Sequence, residues 1–109
     1  MRAGLLNRTV ALLTREDRRD VANELVGEWV EVAVTRASIR HTSGLSAIKA
    51  EAELAIVKAS VRLRFRRDIT AGMRIRHGSD YYVIEAVLPD EMRREHVDLV
   101  CRLLVPKEV

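Results

Sequence analysis

The chain contains one cysteine, Cys101, so no internal disulfide is possible and no thiolate metal cage is suggested. Aromatic residues make up only 4%, which argues against a stacking platform for single-stranded nucleic acid. No apolar run approaches membrane-spanning length, so no membrane partner is expected. The opening residues Met1-Arg2-Ala3-Gly4-Leu5-Leu6 lack the apolar core of a signal peptide, and the chain reads as soluble and cytosol-made. There is no internal repeat and no Gly-rich phosphate loop; Gly72 and Gly78 stand alone as turn glycines. His41, His77 and His96 are scattered without a partner at metal or triad spacing, and the serines lie in no nucleophile-elbow context. Catalytic residues, metal ligands and cofactors are therefore assigned to none, and the chain reads as no enzyme.

What is present is enough apolar sequence for a core and a great deal of charge. Across 109 residues, 48% are hydrophobic and 32% charged, which suits one domain spanning 1–109 with its charge outside. The net charge is +3, from 19 Lys and Arg against 16 Asp and Glu, and it is unevenly placed. In residues 61–78, Val61, Leu63 and Phe65 alternate with Arg62, Arg64 and Arg66. That is the period of a half-buried strand. Burial of each apolar member stabilises the fold by about 1.5–3 kcal/mol. After a turn at 68–72, Met73 and Ile75 alternate with Arg74 and Arg76. The pattern predicts two arginine-faced strands joined by a short turn.

A first strand is expected over residues 9–14. Residues 15–20 are almost wholly charged and read as a loop or the start of a surface helix, with Asp20 able to cap a turn. Residues 29–40 form the longest strand candidate. Val30, Val32 and Val34 share one parity and Ala37 and Ile39 the other, a switch that marks a bulge or bend. The alanine-rich stretch at 45–58 has helical character, with Lys49 and Glu53 four apart. It reads either as a moving part or as a plug for one barrel end. Further strands are expected at 81–88, with Tyr82 and Ile84 inward and Val87 inward after an irregularity, and at 96–105, with Val97, Leu99, Cys101 and Leu103 on one face. The predicted fold is mainly β: a small antiparallel barrel or sandwich of about six strands with one helical or loop insertion at about residues 42–58.

The arginine face admits three readings. It can touch DNA phosphates, pair with carboxylates of another copy, or simply lie in solvent and discourage edge pairing.

In order and spacing, the chain resembles the phage head–tail joining family, also called head-closure, stopper or head–tail adaptor proteins. The likeness runs over about residues 4–104. It is carried by Gly4-Leu5-Leu6-Asn7-Arg8, Trp29, Ala37-Ser38-Ile39, Ser43-Gly44 and the strand Val61-Arg62-Leu63-Arg64-Phe65-Arg66. Ile69-Thr70-Ala71-Gly72-Met73-Arg74-Ile75, Gly78 before Tyr82-Val83-Ile84, Val87, Asp90, and Val97-Asp98-Leu99-Val100-Cys101 complete it. The sequence before Trp29 departs from the family's glycine-rich hairpin, and residues 23–26 read as potentially helical. The resemblance implies a structural virion protein at the neck, in a twelve-fold ring of itself. Its partners would be portal or adaptor proteins, tail terminator or tail proteins, and the double-stranded DNA of the channel.

By position, the channel-lining or stopper segment would be residues 41–58, with His41, Thr42, Ser43, Gly44, Leu45, Ser46, Lys49, Glu51 and Glu53 named for it. Acidic Glu51 and Glu53 at a lumen would repel DNA and keep it sliding. Arg62, Arg64, Arg66, Arg74 and Arg76 are then expected at the subunit or portal-side interface. The alternative is a small basic β-barrel that binds nucleic acid directly.

Overall fold

In the computed structural model, residues 6–43, 46–49, 52–55, 57–107 and 109 are described. Their regular structure is all strand: β1 (Arg8–Arg19), β2 (Leu25–Ser43), β3 (Ser46–Lys49), β4 (Ala52–Ala55), β5 (Lys58–Arg64), β6 (Arg74–His77), β7 (Asp80–Pro89) and β8 (His96–Leu103). Six of them close a barrel in the order β1-β2-β5-β8-β7-β6, and β3 and β4 pair with each other. Every pairing is antiparallel.

The barrel forms because each wall strand alternates. Val61 and Leu63 of β5, Ile75 of β6, Tyr82 and Ile84 of β7, and Val97, Leu99 and Cys101 of β8 all lie inside at 2% exposure or less. The expected inward sets of β7 and β8 are thus borne out. Phe65 falls one residue past β5 and is only half-buried. Two bulges bend the wall, and a third register shift falls between His41 and Ser43 where β2 pairs with β5. Leu12 pairs with Ala33 while Leu13 pairs with Glu31, leaving Val32 as the extra residue. A bulge in β2 was expected later, between Val34 and Ala37, but Val32 and Val34 are both exposed and Ala37 is buried, so the ladder after the bulge already has its final parity. Glu85 is the extra residue of the second bulge, between Ile84 and Ala86.

Two parts of the sequence reading are corrected. The charged run at 15–20 is neither loop nor helix: β1 continues to Arg19 and pairs with β2 as far as Leu25. Asp20 accepts from the N–H groups of Ala22 (2.9 Å) and Glu24 (3.0 Å), and Asn23 takes φ 65°. An Asx turn therefore closes a hairpin where a helix cap was expected, because Asn tolerates the left-handed conformation that the turn needs. The second correction concerns 45–58. Among its described residues there are two short strands and no helix; Ser46 pairs with Ala55 and Lys49 with Ala52. Beside them, Ser43 pairs with Lys58 after a register shift that follows His41, and β3 and β4 keep this shifted register. Alanine's helix preference is a weak local term, and the adjoining ladder overrides it.

Candidate functional site

The arginines were expected on adjacent strands, and the barrel separates them. β5 lies between β2 and β8, and β6 lies between β1 and β7, across the ring. Residues 65–73 are a crossover at the barrel end, where Ile69 and Met73 sink into the core at 5% and 6% exposure. Gly72, at φ 94°, donates its N–H to the Ile84 carbonyl at 2.8 Å and leads the chain into β6. Alternation identifies which face a residue occupies and says nothing of which strand lies beside it. The continuous cationic ladder therefore does not exist.

Four of the five arginines have partners within the chain. Arg62 makes a two-pronged bond to Asp98 on neighbouring β8 (2.7 and 3.0 Å), which holds that carboxyl below its ordinary pKa. Arg66 grips Asp68 in the same way (2.9 and 2.7 Å), with the same effect on its carboxyl. Arg76 donates to Glu31 at 2.9 Å, and the Arg74 guanidinium lies 4.1 Å from the centre of the Trp29 ring. Arg64, at the end of β5, is exposed and makes no salt bridge among the described residues. Arg67, Arg93 and Arg94 at the same barrel end share this state, and Arg64, Phe65, Arg94 and Glu95 line a groove of about 480 Å³ there.

Trp29, Glu31, Arg74 and Arg76 have a common task. Leu12 points into the barrel, so Ala11 and Leu13 point out, yet each is only 4% exposed. They pair with Arg76 and Arg74 on one side and with Val34 and Glu31 on the other. The cation–π pair and the ion pair bridge across β1 and cover these two side chains. Beyond that lid, residues 14–19 and 25–30 leave the barrel as an arm. β6 pairs with β1 only over Ala11 to Leu13, and β5 meets β2 only from Ala37 onward.

The second projecting ribbon, β3–β4, continues β2 and β5 at the opposite end of the barrel. Of the residues read as channel-lining, His41 is placed with its side chain: its Nε2 lies 3.3 Å from the Tyr82 hydroxyl. The backbones of Thr42, Ser43, Ser46, Lys49 and Glu53 run through the ribbon strands. Gly44, Leu45 and Glu51 lie outside the described residues.

Cys101 is fully buried, and desolvation pushes its thiol up to about 12, so it stays protonated and packs as a small apolar group. Among the described residues, no group of three or more His, Cys, Asp and Glu is placed to hold a metal ion. No helix among them is long and apolar enough to cross a membrane. The sequence reading missed the arm, and at the barrel end it named Arg64 but not Arg67, Arg93 or Arg94. Val26, Glu28 and Val30 extend the parity of β2 toward the turn, and that was the available signal for the arm.

Comparison with known proteins places this geometry. The chain matches the solution structure of protein SF1141 from Shigella flexneri 2a with a TM-score of 0.70 and 30% identity, over 94% of this chain and 96% of that one. It shares its fold with a chain of the virion of a native gene transfer agent particle (TM-score 0.72, 21% identity), over 92% of this chain and 96% of that one. No functionally curated protein matches. The family model for phage head completion proteins aligns with residues 1–104, in agreement with the resemblance read from the motifs. The chain belongs to the phage head completion protein family and is a structural protein of the virion.

Proposed function

We propose that the whole chain, 1–109, is one head–tail connector domain that assembles as a ring at the neck. The ring sits between portal or adaptor and tail, closes the DNA channel after packaging and offers the tail its attachment site. The observation that carries this reading is the ribbon of β2 and β5, which shifts register once between His41 and Ser43 and whose new register, Ser43 with Lys58, is kept by β3 and β4 beyond the barrel. A two-stranded extension gains nothing from the barrel core, so its retention fits a part that meets something outside the chain. In this reading, residues 41–58 line the channel of a twelve-fold ring with 43–53 nearest the lumen, and the carboxylates of Glu51 and Glu53 keep the passing duplex from sticking. The arginine set acts at the subunit or portal-side contact chiefly through Arg64, since Arg62, Arg66, Arg74 and Arg76 are engaged within the chain.

Deleting the gene in its parent phage or prophage and imaging the particles tests the proposal. Free tails beside tailless heads that leak DNA are the expected result. Intact, infectious virions would overturn it.

A further inference from the structure

The arm at residues 14–30 is tied to the barrel at its root, where Trp29 lies against Arg74, and beyond that it stands clear of the strands that flank β1 and β2. Among the described residues, five of the nine exposed large hydrophobic residues lie on the arm or on the stretch of β2 that leads into it: Val21, Leu25, Val26, Val32 and Val34. Val21 at the tip is fully exposed, and Leu25 is 67% exposed. Among the described residues, neither long edge of the arm is paired with a further strand, because β6 and β5 stop short of it. An open, partly apolar edge is a template for another chain unless something covers it. Its charge is also opposite to that of the rest of the molecule. Residues 14–30 hold three arginines against five carboxylates, and the remainder holds sixteen Lys and Arg against eleven Asp and Glu.

We propose that this arm is a strap that docks on the arginine end of a second copy of the chain. Asp17 and Glu24 of the arm meet Arg64 and Arg94, while Val21, Leu25 or Val26 lies against half-buried Phe65 in the groove. The geometry favours this pairing of surfaces. β1 rises toward the same barrel end at which β5 delivers Arg64 and the β7–β8 turn delivers Arg94. Subunits related by rotation about an axis along their barrels present that end at one level. The arm extends beyond the barrel by six residues of β1, about 20 Å at about 3.3 Å per residue, enough to reach sideways onto a neighbour. The contact joins two different patches, the kind that closes a ring. Opposite charge then sets which patches meet and in which register. The inference rests on the ring reading and identifies what holds the ring together.

The test uses the full chain supplied to heads from a strain that lacks the gene. One variant carries Asp17→Cys with Arg64→Cys, and each single-cysteine chain is a control; buried Cys101 does not compete. Oxidation is expected to give a ladder of disulfide-linked multimers from the double variant only. In parallel, Asp17→Arg with Glu24→Arg, and separately Arg64→Glu with Arg94→Glu, each lower particle titre by about tenfold or more, and the combined four-site chain recovers it. Thermal melting confirms that each variant folds. If head-bound chains join through an amine-reactive linker but the arm variants behave like wild type, the ring stands and the strap is overturned. If no chain is retained on the heads, the ring reading falls and the strap with it. If the Arg64 and Arg94 reversals abolish binding to duplex DNA and the four-site chain does not recover, that end contacts nucleic acid and the strap is overturned.

Discussion

β5 and β6 carry nearly the same message, apolar residues alternating with arginines, and the fold uses them differently. In β5, Arg62 binds Asp98 directly across the ladder, so the charge is settled within the barrel wall. In β6, Arg74 and Arg76 reach over β1 to Trp29 and Glu31 at the root of the arm. One strand's arginines fasten wall to wall, and the other's fasten the arm to the wall. Equal patterns acquire unequal work because β8 offers β5 a carboxylate at the paired position, whereas the narrow strand β1 offers β6 only Ala11 and Leu13 to cover.

The inward faces are the sternest test of the comparison, and there the two strands are equivalent. Leu63→Ala and Ile75→Ala each remove a fully buried side chain, and each is expected to cost about 2–5 kcal/mol in denaturant unfolding. A large gap between the two would show that one wall packs more loosely.

Next comes the arm root. Trp29→Ala removes both the ring under Arg74 and the cover over Leu13, and a loss of about 1–3 kcal/mol is expected. Hydrogen exchange of the amides in residues 14–19 and 25–30 should quicken with it, while β8 amides keep their protection. Uniform loss of protection would mean that the root is not a separate unit.

Arg62→Ala has a smaller effect, about 0.2–1 kcal/mol at neutral pH, since the guanidinium is 46% exposed and solvent screens the pair. The sign of its pH dependence follows from Asp98, whose carboxyl is held low by Arg62. The contribution is fully present above the ordinary carboxylate pKa and fades as pH falls through the depressed folded value. Stability curves of wild type and variant should therefore converge in acid; a constant offset would show that the pair acts through packing.

Smallest is Gly27→Ala on the arm. An added methyl would meet the Arg15 guanidinium at 2.1 Å, but that group is the far end of a flexible, exposed side chain. A change within about 0.5 kcal/mol is expected in thermal unfolding. A larger loss would reveal that Arg15 is anchored across the arm.

Legibility in the sequence followed the range of the interactions. The inward sets of β7 and β8 and Val61 and Leu63 of β5 were readable because alternation is recorded along the chain itself, whereas the bulge in β2 was expected after Val34 and lies at Val32. The arm was only half readable: residues 15–20 carry charge on both faces, as a ribbon standing clear of any core can, so no apolar periodicity marked the strand. The alanines at 47, 50, 52 and 55 spoke for a helix because local preference was all that could be weighed there. For the candidate site, the resemblance named the family, and the arginines were found without their neighbours.

By itself, the sequence determined which residues of β5, β7 and β8 face inward, that β2 bends, that Cys101 is a core residue, and the family to which the chain belongs. Tertiary structure alone decided that β5 and β6 stand on opposite walls and that residues 14–30 leave the barrel as an arm. It also decided that four of the five arginines are engaged at home. The physical reason is the range of the signal. Side-chain period is a local property of the backbone, whereas strand order depends on how a 65–73 crossover buries Ile69 and Met73 over the end of the barrel.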